Sequence, residues 1–221
     1  MFLKITRYGT DVVAYVVFLS IILILLSFVI NPLLVKLSLD TIAFFVTAFT
    51  IFFFRDPDRI PDRLDEDVVL APADGKIIYV GEVMETEFRK APSIMISIFM
   101  SPTDVHVNRI PFSGIVTFLK YIKGEYLVAF DDKSSERNER MLIGIERDGE
   151  KILFKQIAGF IARRIVCELK EGQQVTKGER FGMIKFGSRV DIFLSPSCQL
   201  NVKVGDRTLA GKSVLGVYCN D

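Results

Sequence analysis

Three side chains suited to acid–base or nucleophilic chemistry lie in short motifs far apart in the sequence. Asp74 lies in "APADGKI", His106 in "SPTDVHVNRIPFSG", and Ser188 follows Gly187 in "FGSRVDIFL". His106 is the only histidine among the 221 residues, so imidazole chemistry near neutral pH must use it. A serine needs a nearby base to become a nucleophile, and an aspartate is a common partner that orients such a base.

The Gly187-Ser188 pair is either a turn or a reactive peptide bond. The residues around it resemble two short strands, and a hairpin would explain the glycine. The following residues, "RVDIFL", alternate as a strand does and offer no second turn residue. Glycine before serine also permits the strained backbone and close approach that attack on the preceding carbonyl requires. Taken alone, the pair stays compatible with a simple turn or bulge.

Each candidate residue has an ordinary alternative role. His106 could be a buried strand histidine, Asp74-Gly75 a hairpin turn, and Arg109 a solvated charge on an edge strand. Cys198 is expected to be an inert buried thiol, because no second histidine can activate it.

Charge divides the chain into an apolar N-terminal part and a formally neutral remainder. Residues 1–54 hold only three of the 28 basic and two of the 27 acidic residues. Residues 55–221 therefore hold 25 basic and 25 acidic residues (28 − 3 and 27 − 2). This balance argues against a polybasic face and therefore against nucleic acid as a partner. The three cysteines have no metal-binding spacing, so no metal site is expected, and they fit a reducing compartment.

The N-terminal part is predicted to be a transmembrane hairpin over residues 1–54. Residues 12–30 carry no charge, and a helix of that length nearly spans a hydrocarbon core of roughly 30 Å. We predict helices over about 12–30 and 32–54, with Asn31 as N-cap and Pro32 as the first helical residue. Lys36 and Asp40 are four residues apart and are able to pair on one helix face.

Two other interpretations of the apolar segments stay open. Only residues 41–54 of the second run are wholly uncharged, so this segment either spans the membrane or is re-entrant. The first run could be a cleaved signal peptide, although no small-residue cleavage motif follows it and a second apolar run does. Basic residues flank both ends of the hairpin, which predicts a cell-membrane protein with its globular domain on the cytoplasmic side.

The rest of the chain is predicted to be mainly β. Residues 55–68 form a polar linker, and residues 69–221 form a barrel-sandwich-like β domain with few short helices. Residues 131–140, "DDKSSERNER", are expected to be a solvated loop or short helix. The predicted strands are "KIIYVG", "SIMISIF", "GIVTFLKYI", "RMLIGIE", "KILFKQIAG", "RRIVCEL", "RFGMIKF", "RVDIFL" and "LNVKVG".

Four stretches, in this order and spacing, resemble the short-form phosphatidylserine decarboxylases, a group that includes archaetidylserine decarboxylases. They are "FFRDPDRIP", "APADGKI", "SPTDVHVNRIPFSG" and "FGSRVDIFL". The resemblance implies a precursor that cuts itself between Gly187 and Ser188. It would give a β chain of residues 1–187 and an α chain of residues 188–221, with Ser188 converted to a catalytic pyruvoyl group.

The resemblance also implies the roles of the other site residues. Asp74 would orient His106, which would activate Ser188 for cleavage and later serve as proton donor. The pyruvoyl ketone would form a Schiff base with the amine of a serine phospholipid, and loss of CO2 would leave the ethanolamine lipid. Arg109 stands where larger bacterial members have a second histidine, and it could bind the substrate carboxylate or phosphate through two hydrogen bonds.

The expected partners are the membrane, a serine phospholipid with an ester or archaeal ether backbone, and the α and β chains for each other. The chain could also form a homodimer, and the sequence leaves its oligomeric state open. The competing function is a membrane-anchored barrel-sandwich carrier or adaptor without catalytic activity. A carrier needs a modifiable lysine at a hairpin tip, and Lys185 in "MIKFGS" lies close to such a pattern.

Overall fold

The protein is described by a computed structural model over residues 4–63, 65–124, 138–159, 164–185 and 188–218. The chain divides into two compact units, residues 1–57 and 58–221. The helices are α1 (Thr10–Ser27) and α2 (Leu33–Phe53). The strands are β1 (Val68–Leu70), β2 (Gly75–Glu85), β3 (Ala91–Met100), β4 (Val107–Arg109), β5 (Gly114–Ile122), β6 (Arg140–Arg147), β7 (Glu150–Ala158), β8 (Ile165–Cys167), β9 (Gln174–Val175), β10 (Arg180–Ile184), β11 (Ser188–Leu194), β12 (Cys198–Leu200), β13 (Arg207–Thr208) and β14 (Val214–Tyr218).

The N-terminal unit is a pair of packed helices, as the apolar runs predict. Both are long and apolar enough to cross a membrane, which is consistent with membrane association. Two hydrogen bonds join them through Ser20: Thr47 Oγ1 donates to Ser20 Oγ at 2.8 Å, and Ser20 Oγ donates to the Ala43 carbonyl at 3.5 Å. Such interhelical hydrogen bonds satisfy polar side chains where lipid offers no partner.

Two local predictions in this unit are wrong. Pro32, not Asn31, occupies the N-cap position, because its ψ of 110° is extended and the helix begins only at Leu33. Lys36 does not pair with Asp40 in the described structure; its Nζ lies 4.6 Å from the centre of the Phe28 ring. The ammonium group is attracted electrostatically to the face of the aromatic ring, in a cation–π interaction.

Within the described residues, the C-terminal unit contains three antiparallel sheets. An eight-stranded sheet has the order β13-β2-β3-β11-β7-β6-β5-β9 and curls into a half-barrel. The two smaller sheets have the orders β1-β14-β12 and β4-β10-β8. Apolar side chains from all three sheets share one buried cluster, including Ile98, Phe181 and Leu215. The prediction of a mainly β, barrel-like domain is confirmed.

Strand β11 lies at the centre of the large sheet and is buried along its whole length. It pairs with β3 on one side and β7 on the other. Because successive residues face opposite sides of a strand, Ser188 and Val190 face the core while Arg189 and Asp191 face the other side. The latter two form a buried ion pair, with 3.0 Å between Arg189 Nε and Asp191 Oδ1. The alternation of "RVDIFL" therefore marks two covered faces, not a covered and a solvated one.

Several predicted boundaries differ from the structure. The strand predicted over "LNVKVG" ends at Leu200, since the residues after it turn towards β13. Asn138 and Glu139 are buried and β6 begins at Arg140, so the last part of the predicted solvated loop is wrong. Residues 131–137 of that loop lie outside the described residues, as does Cys219.

A buried carboxylate organises the turn between β2 and β3. Glu85 accepts backbone hydrogen bonds from Glu87 at 2.7 Å, Phe88 at 3.0 Å and Arg89 at 2.6 Å. Burial by itself raises the pKa of Glu85, but these hydrogen bonds and the charge of Lys155 together lower it below the ordinary value of 4.5.

The stability that Glu85 contributes should depend on pH. Because its pKa is lower in the folded than in the unfolded chain, the contribution is complete above the unfolded pKa and is lost as pH falls towards the folded pKa. Glu85→Gln should therefore be less stable than wild type at pH 7, and the difference should shrink below about pH 4.5. Urea unfolding of the detergent-solubilised chain at several pH values measures this. Glu87→Gln is the matched control, because the partner of Glu87, Lys120, is exposed. A difference in unfolding free energy between wild type and Glu85→Gln that does not change with pH would contradict the lowered pKa of Glu85.

Candidate active site

Ser188 is the first residue of β11 and is fully buried. In the strand ladders it stands between Met100 of β3 and Ala158 of β7. Its Oγ donates to Met100 Sδ at 3.2 Å. Thioether sulfur is a weak acceptor, so this hydroxyl is held in nearly apolar surroundings without being strongly bound. Gly187 lies outside the described residues.

The segment between β3 and β4 brings His106 to the chain near Ser188. At one end, Met100 pairs with Ser188. At the other end, β4 pairs with β10, and the Ile184 N–H donates to the His106 carbonyl at 3.4 Å. Strand β10 ends four residues before Ser188, so the two ends of this segment contact the chain at Ile184 and at Ser188. No hydrogen bond joins the side chains of His106 and Ser188 within the described residues.

The His106 ring is fully buried, and its tautomer follows from its partner. Nδ1 lies 2.9 Å from the Asp104 carbonyl oxygen, which can only accept. Nδ1 therefore carries the proton, and Nε2 of the neutral ring carries the lone pair that a general base needs.

Asp104 is the orienting residue that sequence reasoning missed. Its carboxylate accepts from the Ser101 N–H at 2.8 Å, and its own N–H donates to the Ser101 carbonyl at 2.9 Å. This compact turn fixes the carbonyl that holds His106. The signal was present in the sequence, because serine followed three residues later by an acidic residue is the pattern in which the acidic side chain accepts from the serine N–H.

Asp74 is buried and forms an ion pair with Arg59. The guanidinium donates to both carboxylate oxygens, at 2.6 Å from Nη2 to Oδ2 and through an even shorter contact from Nη1 to Oδ1. The Ala210 N–H adds a third hydrogen bond at 2.8 Å. These three hydrogen bonds fix the position of the Asp74 carboxylate. The predicted support of His106 by Asp74 stays a prediction, since the group that touches Nδ1 is the Asp104 carbonyl.

Gly75 explains how the Asp74 segment fits against the strand that carries Met100. A Cβ placed on Gly75 would lie 2.1 Å from the carbonyl oxygen of Phe99, the residue before Met100. Only glycine permits this approach of two backbones. The alternative of a simple Asp-Gly hairpin turn is wrong, because Gly75 begins the long strand β2.

Arg109 is buried, so the alternative of a solvated edge charge is wrong. Its Nη1 donates to the Gly178 carbonyl at 3.0 Å, and its backbone N–H donates to the Pro72 carbonyl at 2.9 Å. The residue therefore connects β4 to the segment that precedes Asp74. Its predicted contact with substrate stays a prediction.

A buried pair of amide side chains lies close to Ser188. Gln156 Nε2 donates to Asn108 Oδ1 at 2.9 Å, and Asn108 Nδ2 lies 3.8 Å from the same Met100 sulfur that Ser188 contacts. Both amides are fully buried. Sequence analysis missed them because a polar residue within a β-branched run gives no sign of which strand face is covered.

Comparison with known proteins identifies the family. A profile of the phosphatidylserine decarboxylase family matches residues 46–216. The chain belongs to this family. Phosphatidylserine decarboxylase proenzymes of Pelodictyon phaeoclathratiforme and Chlorobaculum tepidum are similar to it over nearly their whole lengths, with 45% identity covering 96% of this chain and 99% of the relative, and 46% covering 97% and 98%. The proenzyme of Chlorobium phaeobacteroides is 50% identical over 78% of this chain and 81% of its own.

Membership of this family confirms the prediction of an enzyme of the decarboxylase class and overturns the carrier or adaptor alternative. The fold agrees with that outcome. A carrier lysine would need to lie at the tip of a hairpin, but Lys185 follows β10, which pairs with β4 and β8, whereas β11 pairs with β3 and β7.

The Arg59–Asp74 pair makes a prediction about stability. Removing one partner of a buried ion pair leaves an uncompensated charge, so Arg59→Met should lower the free energy of unfolding by about 3 kcal/mol. Arg63→Met removes the exposed pair of Arg63 with Asp65 and should change it by less than about 0.5 kcal/mol. Urea unfolding of both variants measures the difference. Equal effects of the two substitutions would contradict the importance of the Arg59–Asp74 contact.

Proposed function

We propose that this chain is a precursor that cleaves itself between Gly187 and Ser188, and that the mature enzyme converts a serine phospholipid to the ethanolamine phospholipid and CO2. The observation that carries the proposal is the position of Ser188, fully buried at the first residue of a central strand in a chain of this family. A serine selected only for a turn would be expected on the surface.

Self-cleavage would begin with attack of Ser188 Oγ on the Gly187 carbonyl carbon. His106 Nε2 takes the hydroxyl proton as the Oγ–C bond forms, and the C–N bond then breaks to leave an ester and a free amine on residue 188. Removal of the α-proton of residue 188 expels the Gly187 carboxylate and leaves dehydroalanine. Addition of water and loss of ammonia then give the pyruvoyl group.

The surroundings of Ser188 suit the group that would be formed there. A pyruvoyl group is small, planar and uncharged, and the neighbours of Ser188 on the two flanking strands, Met100 and Ala158, are uncharged as well. When present, the group supplies a carbonyl that accepts the electron pair released with CO2. His106 Nε2 would return a proton to the carbon that lost CO2, and the buried Asp104 turn would keep the ring in place for it. Arg109 would bind the carboxylate or the phosphate of the headgroup.

The strand pairing supports a stable complex of the two chains after the cut. The α chain would contain β11 to β14, and every one of these except β12 pairs with a strand of the β chain. Strand β11 alone pairs along seven residues with β3 and six with β7. The two chains therefore need no covalent link to stay together.

The names of the relatives favour phosphatidylserine, with its ester-linked acyl chains, over an archaeal ether lipid. The direct test is CO2 release from detergent-solubilised protein supplied with vesicles of phosphatidylserine. Wild type should release CO2, and Ser188→Ala should remain one uncut chain and release none. Cysteine at this position is not an adequate control, because a thiol can also attack. CO2 release by uncut Ser188→Ala protein would contradict the proposal.

His106 should be required both for cleavage and for turnover. Removing an acid–base group typically costs about 10²–10⁴-fold in rate, and no second histidine can replace it. His106→Ala should therefore slow cleavage to hours or abolish it, and any molecules that do mature should be poor decarboxylases. Asp74→Asn should impair cleavage too. The appearance of the two fragments and the release of CO2 are followed in parallel. If mature His106→Ala enzyme released CO2 at the wild-type rate, His106 would have no role in the turnover step.

The membrane orientation is part of the same proposal. The basic residues on both flanks of the helical hairpin favour both termini in the cytoplasm. Protease added outside intact cells should leave residues 55–221 intact, whereas protease added to inverted membrane vesicles should digest them. Digestion of this domain from outside the cell would contradict the orientation.

A further inference from the structure

The hydrogen bonds around Gln156 fix the direction of its side-chain amide. Asn108 Nδ2 donates to the Pro72 carbonyl at 3.4 Å, which turns Asn108 Oδ1 towards Gln156. Because Asn108 Oδ1 and the Val166 carbonyl can only accept, the group that faces both of them, at 2.9 and 3.4 Å, must be Gln156 Nε2. The Gln156 carbonyl oxygen, Oε1, therefore points away from this network.

Gln156 Oε1 is a buried acceptor with no hydrogen-bond partner among the described residues. A buried polar atom without a partner costs free energy and is rare in folded proteins, so it calls for an explanation. A binding site for an N–H donor requires an acceptor that is held in a fixed orientation and has no donor from the protein itself.

Gln156 lies on the same face of the large sheet as Ser188. It pairs with Val190 in the β7–β11 ladder, and Ser188 pairs with Ala158 two positions further along. Residues related in this diagonal way have Cα atoms about 7–8 Å apart, within reach of a long side chain. The Asn108 amide that orients Gln156 also contacts the Met100 sulfur beside Ser188.

We infer that Gln156 Oε1 accepts a hydrogen bond from the headgroup nitrogen of the lipid substrate and so positions the amine at residue 188. The inference rests on the proposed function and adds a residue that recognises the amine. A neutral carbonyl suits this role better than a carboxylate would. It can accept an N–H from the amine both before and after the amine loses its proton, whereas an ion pair would favour the protonated form.

The inference makes a prediction about ligands that differ by one N–H group. Glycerophospho-N,N-dimethylethanolamine has a tertiary ammonium with one N–H, and glycerophosphocholine has a quaternary ammonium with none. Neither has a primary amine that can condense with a carbonyl, so their comparison isolates the hydrogen bond. Binding of each to the mature, detergent-solubilised enzyme can be measured by calorimetry, without any turnover.

Wild type should bind the dimethyl compound about tenfold more tightly than the choline compound, since a hydrogen bond from a charged donor is worth at least that ratio. Gln156→Leu should bind the two equally. Gln156→Met, which has a similar length and no carbonyl oxygen, should also bind the two equally. Ile152→Ala, a truncation of an equally buried residue on the same strand and face, is the packing control and should keep it as well.

The outcomes separate this inference from the proposed function. A Gln156→Leu enzyme that matures and still prefers the dimethyl compound tenfold would overturn the inference and leave the proposed function intact. If Gln156→Leu does not accumulate as folded protein, Gln156→Met and wild type decide: a tenfold preference kept by Gln156→Met, or equal binding of the two compounds by wild type, would overturn the inference. A wild-type chain that never cleaves and never releases CO2 would instead remove the proposed function on which the inference rests.

Discussion

The pairing of β11 with strands on both sides is the constraint on which the rest of the site depends. It fixes the register of Ser188 between Met100 and Ala158, and the Ser188 side chain faces the core. It would also hold the new end of the α chain in place if the bond before Ser188 were cut. A serine at the tip of a loop would be free to move after cleavage, whereas a serine at the start of a central strand has no such freedom.

Three buried polar side chains of the candidate site are held by different means. His106 is oriented by a backbone carbonyl, Asp74 is held by the Arg59 guanidinium, and Gln156 is turned by Asn108. The Asp104 carbonyl places the proton of a neutral imidazole on Nδ1, whereas the Arg59 guanidinium fixes the Asp74 carboxylate through two hydrogen bonds.

The sequence predicts the coarse architecture well, because the relevant signals are strong. The apolar runs give the two helices, and the β-branched runs give most of the long strands. The short strands β1, β4, β9 and β13 could not be predicted, since two or three residues carry no periodicity and depend on the partner strand. The motifs pointed to Ser188, His106 and Asp74, but not to the groups that hold the last two. The Asp104 carbonyl is a backbone atom, and Arg59, although it lies in the motif "FFRDPDRIP", contacts Asp74 across a sequence distance that gives no sign of the pairing.

The central claim is that Ser188 becomes the N-terminal group of a separate chain, and the mass of that chain tests it most directly. Wild-type protein from its own cells, separated under denaturing conditions and analysed by intact-mass spectrometry, should give two species. The smaller should match residues 188–221 less one ammonia, the mass of a chain that begins with a pyruvoyl group and resists Edman degradation. A single species of 25.0 kDa, or a small chain that begins with an ordinary serine, would contradict the account.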